Sequence, residues 1–224
     1  MISIREQERR LFDAWREQMP SIEKAYIEDG VVDEDRFLQQ KWRYVFVLKE
    51  ANDLNMSLVD FLKTGAPGNG GHTWNPVCRW LMGIDSREFS QEERAEILRN
   101  IAVVNLKKEN RQFDGAYTTN HSHLEKVVER DRQWLKKQFE IYAKHPPVVF
   151  VCCGPGLLTM ISHHLFDDAI IQRDSVLPFM QPDANRKVLF VAFNHPNAKK
   201  RGLTAKFKAI QNMIDSVLTS ERKS

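Results

Sequence analysis

Four short apolar runs set what this chain can fold into: Tyr44 to Leu48, Ile101 to Val104, Val148 to Cys152 and Val188 to Phe193. Each is too brief to hold a helix together, and none alternates polar with apolar residues. Near-continuous hydrophobicity of this length marks strands covered on both faces. Segments with helical spacing lie between and after them: Leu54 to Lys63, Trp74 to Met82, Gln91 to Arg99, Leu124 to Tyr142, Leu157 to Leu165 and Leu203 to Leu218. Strands alternating with helices imply right-handed crossovers and a three-layer α/β/α fold around a central, mostly parallel four-stranded sheet. Ahead of the first run, Leu11, Phe12, Trp15 and Met19 recur at helical spacing, so Ile4 to Met19 reads as an amphipathic helix. Pro20-Ser21 reads as its stop and as the cap of a second short helix.

The 224 residues show no repeat and no Gly/Ser-rich linker, which predicts one domain over 1–224 with residues 1–40 as a helical extension. At 42% apolar residues, a chain of this size can bury a substantial core. The net charge of +3 gives no global field for nucleic acid, so any basic surface must be local. Three cysteines, Cys78, Cys152 and Cys153, are too few for a disulfide framework, and the adjacent pair reads as small buried hydrophobes. No set of four cysteines suits an iron–sulfur cluster, and no Cys/His spacing suits zinc. His163 and His164 are helix neighbours pointing about 100° apart, which does not suit one shared ion. The expectation is a chain without metal or organic cofactor. No run of about 18 apolar residues predicts a membrane span, and no apolar leader predicts secretion. A cytosolic monomer is the default, with the nucleus left open.

In open parallel sheets, ligands bind in the crevice beyond the carboxyl ends of the strands. The residues just after each run therefore carry the most weight. Glu50 follows the first; a carboxylate half-shielded there can act as a base or hold a water, or it can simply accept helix amides. Asn105 follows the second; its amide offers a donor and an acceptor to the edge of a pyrimidine or amide ring, or caps its own turn. Gly154-Pro155-Gly156 follows the third as a tight turn into a helix, where a phosphate could approach. His195 follows the fourth, with Pro196 behind it; an imidazole there can stabilise charge developing on a ligand, or satisfy a loop carbonyl.

Two further stretches lie outside the strand ends. Gly65 to Pro76 is the most loop-like part of the chain, and Trp74 or His72 within it could stack on a flat ligand. The plainer alternative packs Trp74 as the first apolar residue of its helix. Lys199-Lys200-Arg201 follows the histidine turn and could contact phosphates, although a charge run is more often a solvated face.

Taken in order, the four strand ends resemble the motifs of the uracil-DNA glycosylase superfamily. Its first motif takes forms such as Gly-Glu-Ala-Pro-Gly, matched here by Lys49-Glu50-Ala51-Asn52-Asp53. Its second-strand asparagine resembles Asn105-Leu106-Lys107-Lys108, its glycine-ended third strand resembles Val148 to Gly154, and its late His-Pro-Ser resembles His195-Pro196-Asn197. The correspondence runs from about Tyr44 to Leu218. This resemblance implies a DNA glycosylase that flips a nucleotide from the stack and hydrolyses the N-glycosidic bond of uracil or another deaminated base. It implies that Glu50 activates water, that His195 stabilises the leaving base, and that Asn105 reads the base edge. Ala51, Asn52, Trp74 and Asn197 would line the substrate pocket, while Lys199, Lys200 and Arg201 would grip DNA phosphates. Lys49 stands where the family keeps glycine, and Asn52 where it keeps proline. Two other functions stay open on the same crevice: a non-catalytic DNA- or nucleotide-binding module, and an enzyme acting on a small nucleoside.

Overall fold

A computed structural model describes residues 2–18, 26–51, 54–110, 120–166, 177–179, 188–198 and 200–220, with backbone alone at 177–179 and 217–220. The four apolar runs form four parallel strands: β2 (Arg43–Glu50), β3 (Ala102–Lys107), β4 (Val148–Cys153) and β6 (Val188–Phe193). Two short strands, β1 (Gly30–Val31) and β5 (Leu177–Phe179), add antiparallel edges, giving the order β1-β3-β2-β4-β6-β5. The sheet is thus six-stranded among the described residues, where the sequence predicted four. Strands of two and three residues are too short to show any period, and pairing with a formed sheet is what defines them.

The helices are α1 (Ile4–Gln18), α2 (Glu34–Gln39), α3 (Leu58–Lys63), α4 (Gly70–Met82), α5 (Gln91–Leu98), α6 (His121–Arg130), α7 (Arg132–Ala143), α8 (Leu157–Phe166) and α9 (Leu203–Ser220). Three of the expected helical segments differ in the structure. Helix α3 starts at Leu58, where the Ser57 hydroxyl accepts the Asp60 N–H. The predicted helix from Leu124 to Tyr142 is two helices that meet at Asp131. That residue's carbonyl starts the second ladder, and its buried carboxylate accepts two bonds from Arg130. Helix α4 begins at Gly70, inside the stretch expected to be a loop, through turns such as Gly71 N–H to the Gly68 carbonyl. Pro20-Ser21 lies outside the described residues.

Strand alternation sorts the core into two layers, one on each side of the sheet. Val45, Val47, Val104 and Phe150 face one layer with Trp15, Phe37, Leu124, Tyr142 and Ile161. Phe46, Val103, Val151 and Val191 face the other with Leu62, Trp80, Leu98, Phe207 and Ile214. Phe46, Trp80 and Phe207 stack there with centroids 6.0–6.5 Å apart. This is an α/β fold of three layers. Leu11 and Trp15 of α1, Val31 of β1 and Phe37 of α2 belong to the same apolar layer as the central strands, so these elements share this core. Cys152 and Cys153 are buried, as their apolar run predicted, and Cys78 is buried as well. Among the described residues, no helix is long and apolar enough to cross a membrane.

Glycine is required at position 30. Its φ of +133° is one that side chains rarely adopt, and a Cβ would lie 2.6 Å from the Glu8 carboxylate oxygens. That carboxylate is itself held by the Val31 N–H. Gly30→Ala should therefore destabilise the fold by at least about 2 kcal/mol, combining backbone strain with displacement of a buried acid. Urea unfolding would register this as a lower midpoint; an unchanged midpoint would mean that the glycine is incidental.

Candidate functional site

The carboxyl ends of three parallel strands open on one cavity of about 420 Å3. Glu50 reaches it from β2, Asn105 from β3, and His195 from the turn after β6. The chain builds outward from β2 to β3 on one side and then to β4 on the other, so the cavity lies by the point where strand order reverses. Its far wall comes from α3 and α4, through Phe61, Thr73 and Trp74. The start of α4 can lie against Phe61 because residue 70 is glycine: a Cβ there would sit 2.5 Å from the Phe61 ring.

Asn105 is 1% exposed, yet neither its amide nitrogen nor its amide oxygen has a hydrogen-bond partner. Leaving one buried polar atom unmet costs about 1–3 kcal/mol, so a side chain with two such atoms facing a cavity is suited to an incoming ligand. Its backbone, by contrast, is fixed. The Asn105 N–H donates at 2.5 Å to Oδ2 of Asp29, the residue just before β1 begins. The same carboxylate accepts from the buried Lys108 ammonium at 2.6 and 2.8 Å and from Gln138 at 2.8 Å.

Glu50 is almost wholly covered, with its side chain 6% exposed. Its Oε2 lies 3.3 Å from the Lys107 ammonium, which is 2% exposed. Lys107 is the functional candidate that the sequence reading passed over. The signal was available: in a strand, residues two apart share a face, and Lys107 follows Asn105 by two. Alternation sends Lys49 to the face opposite Glu50, and Lys49 does not line the cavity.

His195 is half-buried, and its Nδ1 accepts the Asn197 N–H at 3.2 Å. That bond places the neutral ring's proton on Nε2, leaving a donor for a ligand. Burial pushes the imidazole below its ordinary pKa, and the Lys49 charge pushes the same way. Both effects favour the neutral ring. It is a donor without a net charge.

Ala51, Trp74 and Asn197 also line the cavity. Trp74 is only 4% exposed and belongs to the apolar layer of α4, so it contributes both to the core and to the cavity wall. His72 lines a neighbouring groove with Arg79 and Asn75 instead. The Gly154-Pro155-Gly156 turn does not line the cavity, and the His121 ring packs over Gly156. Lys200 and Arg201 are exposed beyond the histidine turn, outside the cavity lining. Asn52 and Lys199 lie outside the described residues.

No family model matches the chain, and no curated protein matches it significantly.

Proposed function

We propose that this protein is a DNA glycosylase that hydrolyses the N-glycosidic bond of uracil or another deaminated base. The observation that carries the reading is the shared cavity of Glu50, Asn105 and His195, in which the Asn105 amide has no partner of its own. A pyrimidine edge presents adjacent N–H and C=O groups, and a side-chain amide can satisfy both. The Nε2–H of His195 can donate to a base oxygen as negative charge builds on the leaving base. Glu50 supplies an acceptor for the attacking water. The glycosidic carbon is unreachable within a duplex, so the nucleotide must leave the stack to enter.

The test is release of free base from single- and double-stranded oligonucleotides carrying uracil, hypoxanthine or xanthine. Wild type should release at least one of them, and His195→Ala should slow that release at least about tenfold. Intact substrates after prolonged incubation with excess protein would end the reading.

A second reading, a non-catalytic module that binds DNA, draws on the exposed Lys200 and Arg201 beside the histidine turn. Its affinity would fall steeply with salt, because phosphate contacts release counterions. Glu50→Gln would leave that binding unchanged.

A further inference from the structure

We infer that Lys107 is the positioning residue for Glu50, holding the carboxylate in the orientation that presents it to the cavity. The inference rests on the glycosylase reading for its chemistry and on geometry for its placement. Lys107 and Asn105 project from the same face of β3, because alternate strand residues share a face. The pairing of β2 with β3 sets Glu50 directly beside Lys107 in register. The ammonium lies 3.3 Å from Oε2, with both side chains nearly sealed from water. Lys107 does not itself line the cavity, whereas Glu50 does. It therefore acts through the carboxylate, without touching substrate.

Burial makes this pair different from a surface ion pair. Exposed pairs contribute little, and either side chain remains free to turn. A buried pair is demanding: removal of one partner leaves the other charge uncompensated in a poor solvent. Without the Lys107 ammonium, the Glu50 carboxylate loses the contact that fixes Oε2 and can turn from its orientation. That turn misplaces the acceptor that orients the attacking water, at the point where a misplacement of about 1 Å can cost about 100-fold in rate. Substrate contacts made by Asn105 and His195 would survive. Loss of Lys107 should therefore appear in kcat and leave KM nearly untouched.

The arrangement also gives a physical meaning to the two adjacent lysines. Lys107 turns to the cavity side and meets Glu50, while Lys108 turns to the opposite side and meets Asp29. One holds the acid that faces the substrate. The other secures the strand end that carries Asn105.

The experiment combines a stability cycle with steady-state kinetics on Lys107→Met, Lys107→Arg, Glu50→Gln and the Lys107→Met/Glu50→Gln pair. Thermal melts should show that Lys107→Met is partly restored by adding Glu50→Gln, since the second change removes the charge that faced the ammonium. In base release, Lys107→Met should lower kcat at least about tenfold with KM within about threefold, and Lys107→Arg should recover part of the loss. Additive melting shifts would overturn the pairing, whatever the activity. Wild-type base release with kcat of Lys107→Met within twofold of wild type would overturn the positioning role alone. Absence of base release by wild type would retire the glycosylase reading, and the lysine's catalytic role with it.

Discussion

Replacing Asn105 with leucine should make the protein more stable while abolishing the proposed base release. The asparagine is 1% exposed and has no partner for either amide atom, so the folded state carries an unmet polar group in its interior. Leucine has the same branched shape, is somewhat larger beside an open cavity, and has no such requirement. Relief of the unsatisfied amide should stabilise the fold by about 1–3 kcal/mol. In a domain of this size that raises Tm by roughly 2–4 °C per kcal/mol. Base release should fall at least about 100-fold, because the group proposed to meet the base edge is gone. Opposite signs for stability and activity are what a site formed at the expense of the core produces. A destabilised Asn105→Leu protein that still released base at the wild-type rate would show the amide to be structural.

The second large effect lies in the layer beneath the site. Glu8 of α1 is 4% exposed, and burial raises its carboxyl from the ordinary 4.5 to about 8. The Tyr142 hydroxyl and the Val31 N–H donate to it and oppose that rise, as does the nearby Lys108, while the Asp29 charge adds to it. Between pH 4.5 and 8 the unfolded chain has released this proton and the folded chain still holds it. Each step up in pH therefore favours unfolding, by up to about 1.4 kcal/mol per pH unit from this one group. The stability contributed by the neutral acid is complete below about pH 4.5 and lost as pH climbs through about 8. Glu8→Gln, which keeps an acceptor and cannot ionise, should match wild type near pH 5 and exceed it clearly at pH 8.5. Urea unfolding at pH 5, 6.5 and 8.5 would measure both curves. Parallel pH dependences would show that Glu8 does not govern this slope.

These two expectations are linked through Asp29, which neighbours Glu8 electrostatically and accepts the Asn105 N–H. A disturbance of α1 can thus reach the strand end that carries the cavity amide without any side chain of α1 entering the cavity.

Much of this arrangement was legible from the chain itself. The four apolar runs located the parallel strands, because a strand buried on both faces needs no alternation and shows none. The rule for parallel sheets then pointed to their carboxyl ends, and Glu50, Asn105 and His195 do line one cavity there. Even Glu8 left a trace: with Ile4, Leu11, Phe12 and Trp15 it falls on the apolar stripe of α1, an acid spaced as a core residue.

Other features had no local signal. The start of α4 at Gly70 lies against Phe61, far from anything its neighbours reveal, and glycine-rich sequence by itself favours a loop. The short strand β1 exists only because β3 offers it an edge. The partners of Lys107 and Lys108 were undecided, since each could have been a solvated cation. Sheet register chose Glu50 for one, and helix packing enclosed the other with Asp29 and Gln138. Periodicity is a property of neighbours along the chain, and it determined the elements and the edge at which they present chemistry. Whether a polar group finds a partner depends on segments tens of residues away, and for Asn105, Glu50 and Glu8 only the packed tertiary structure decided it.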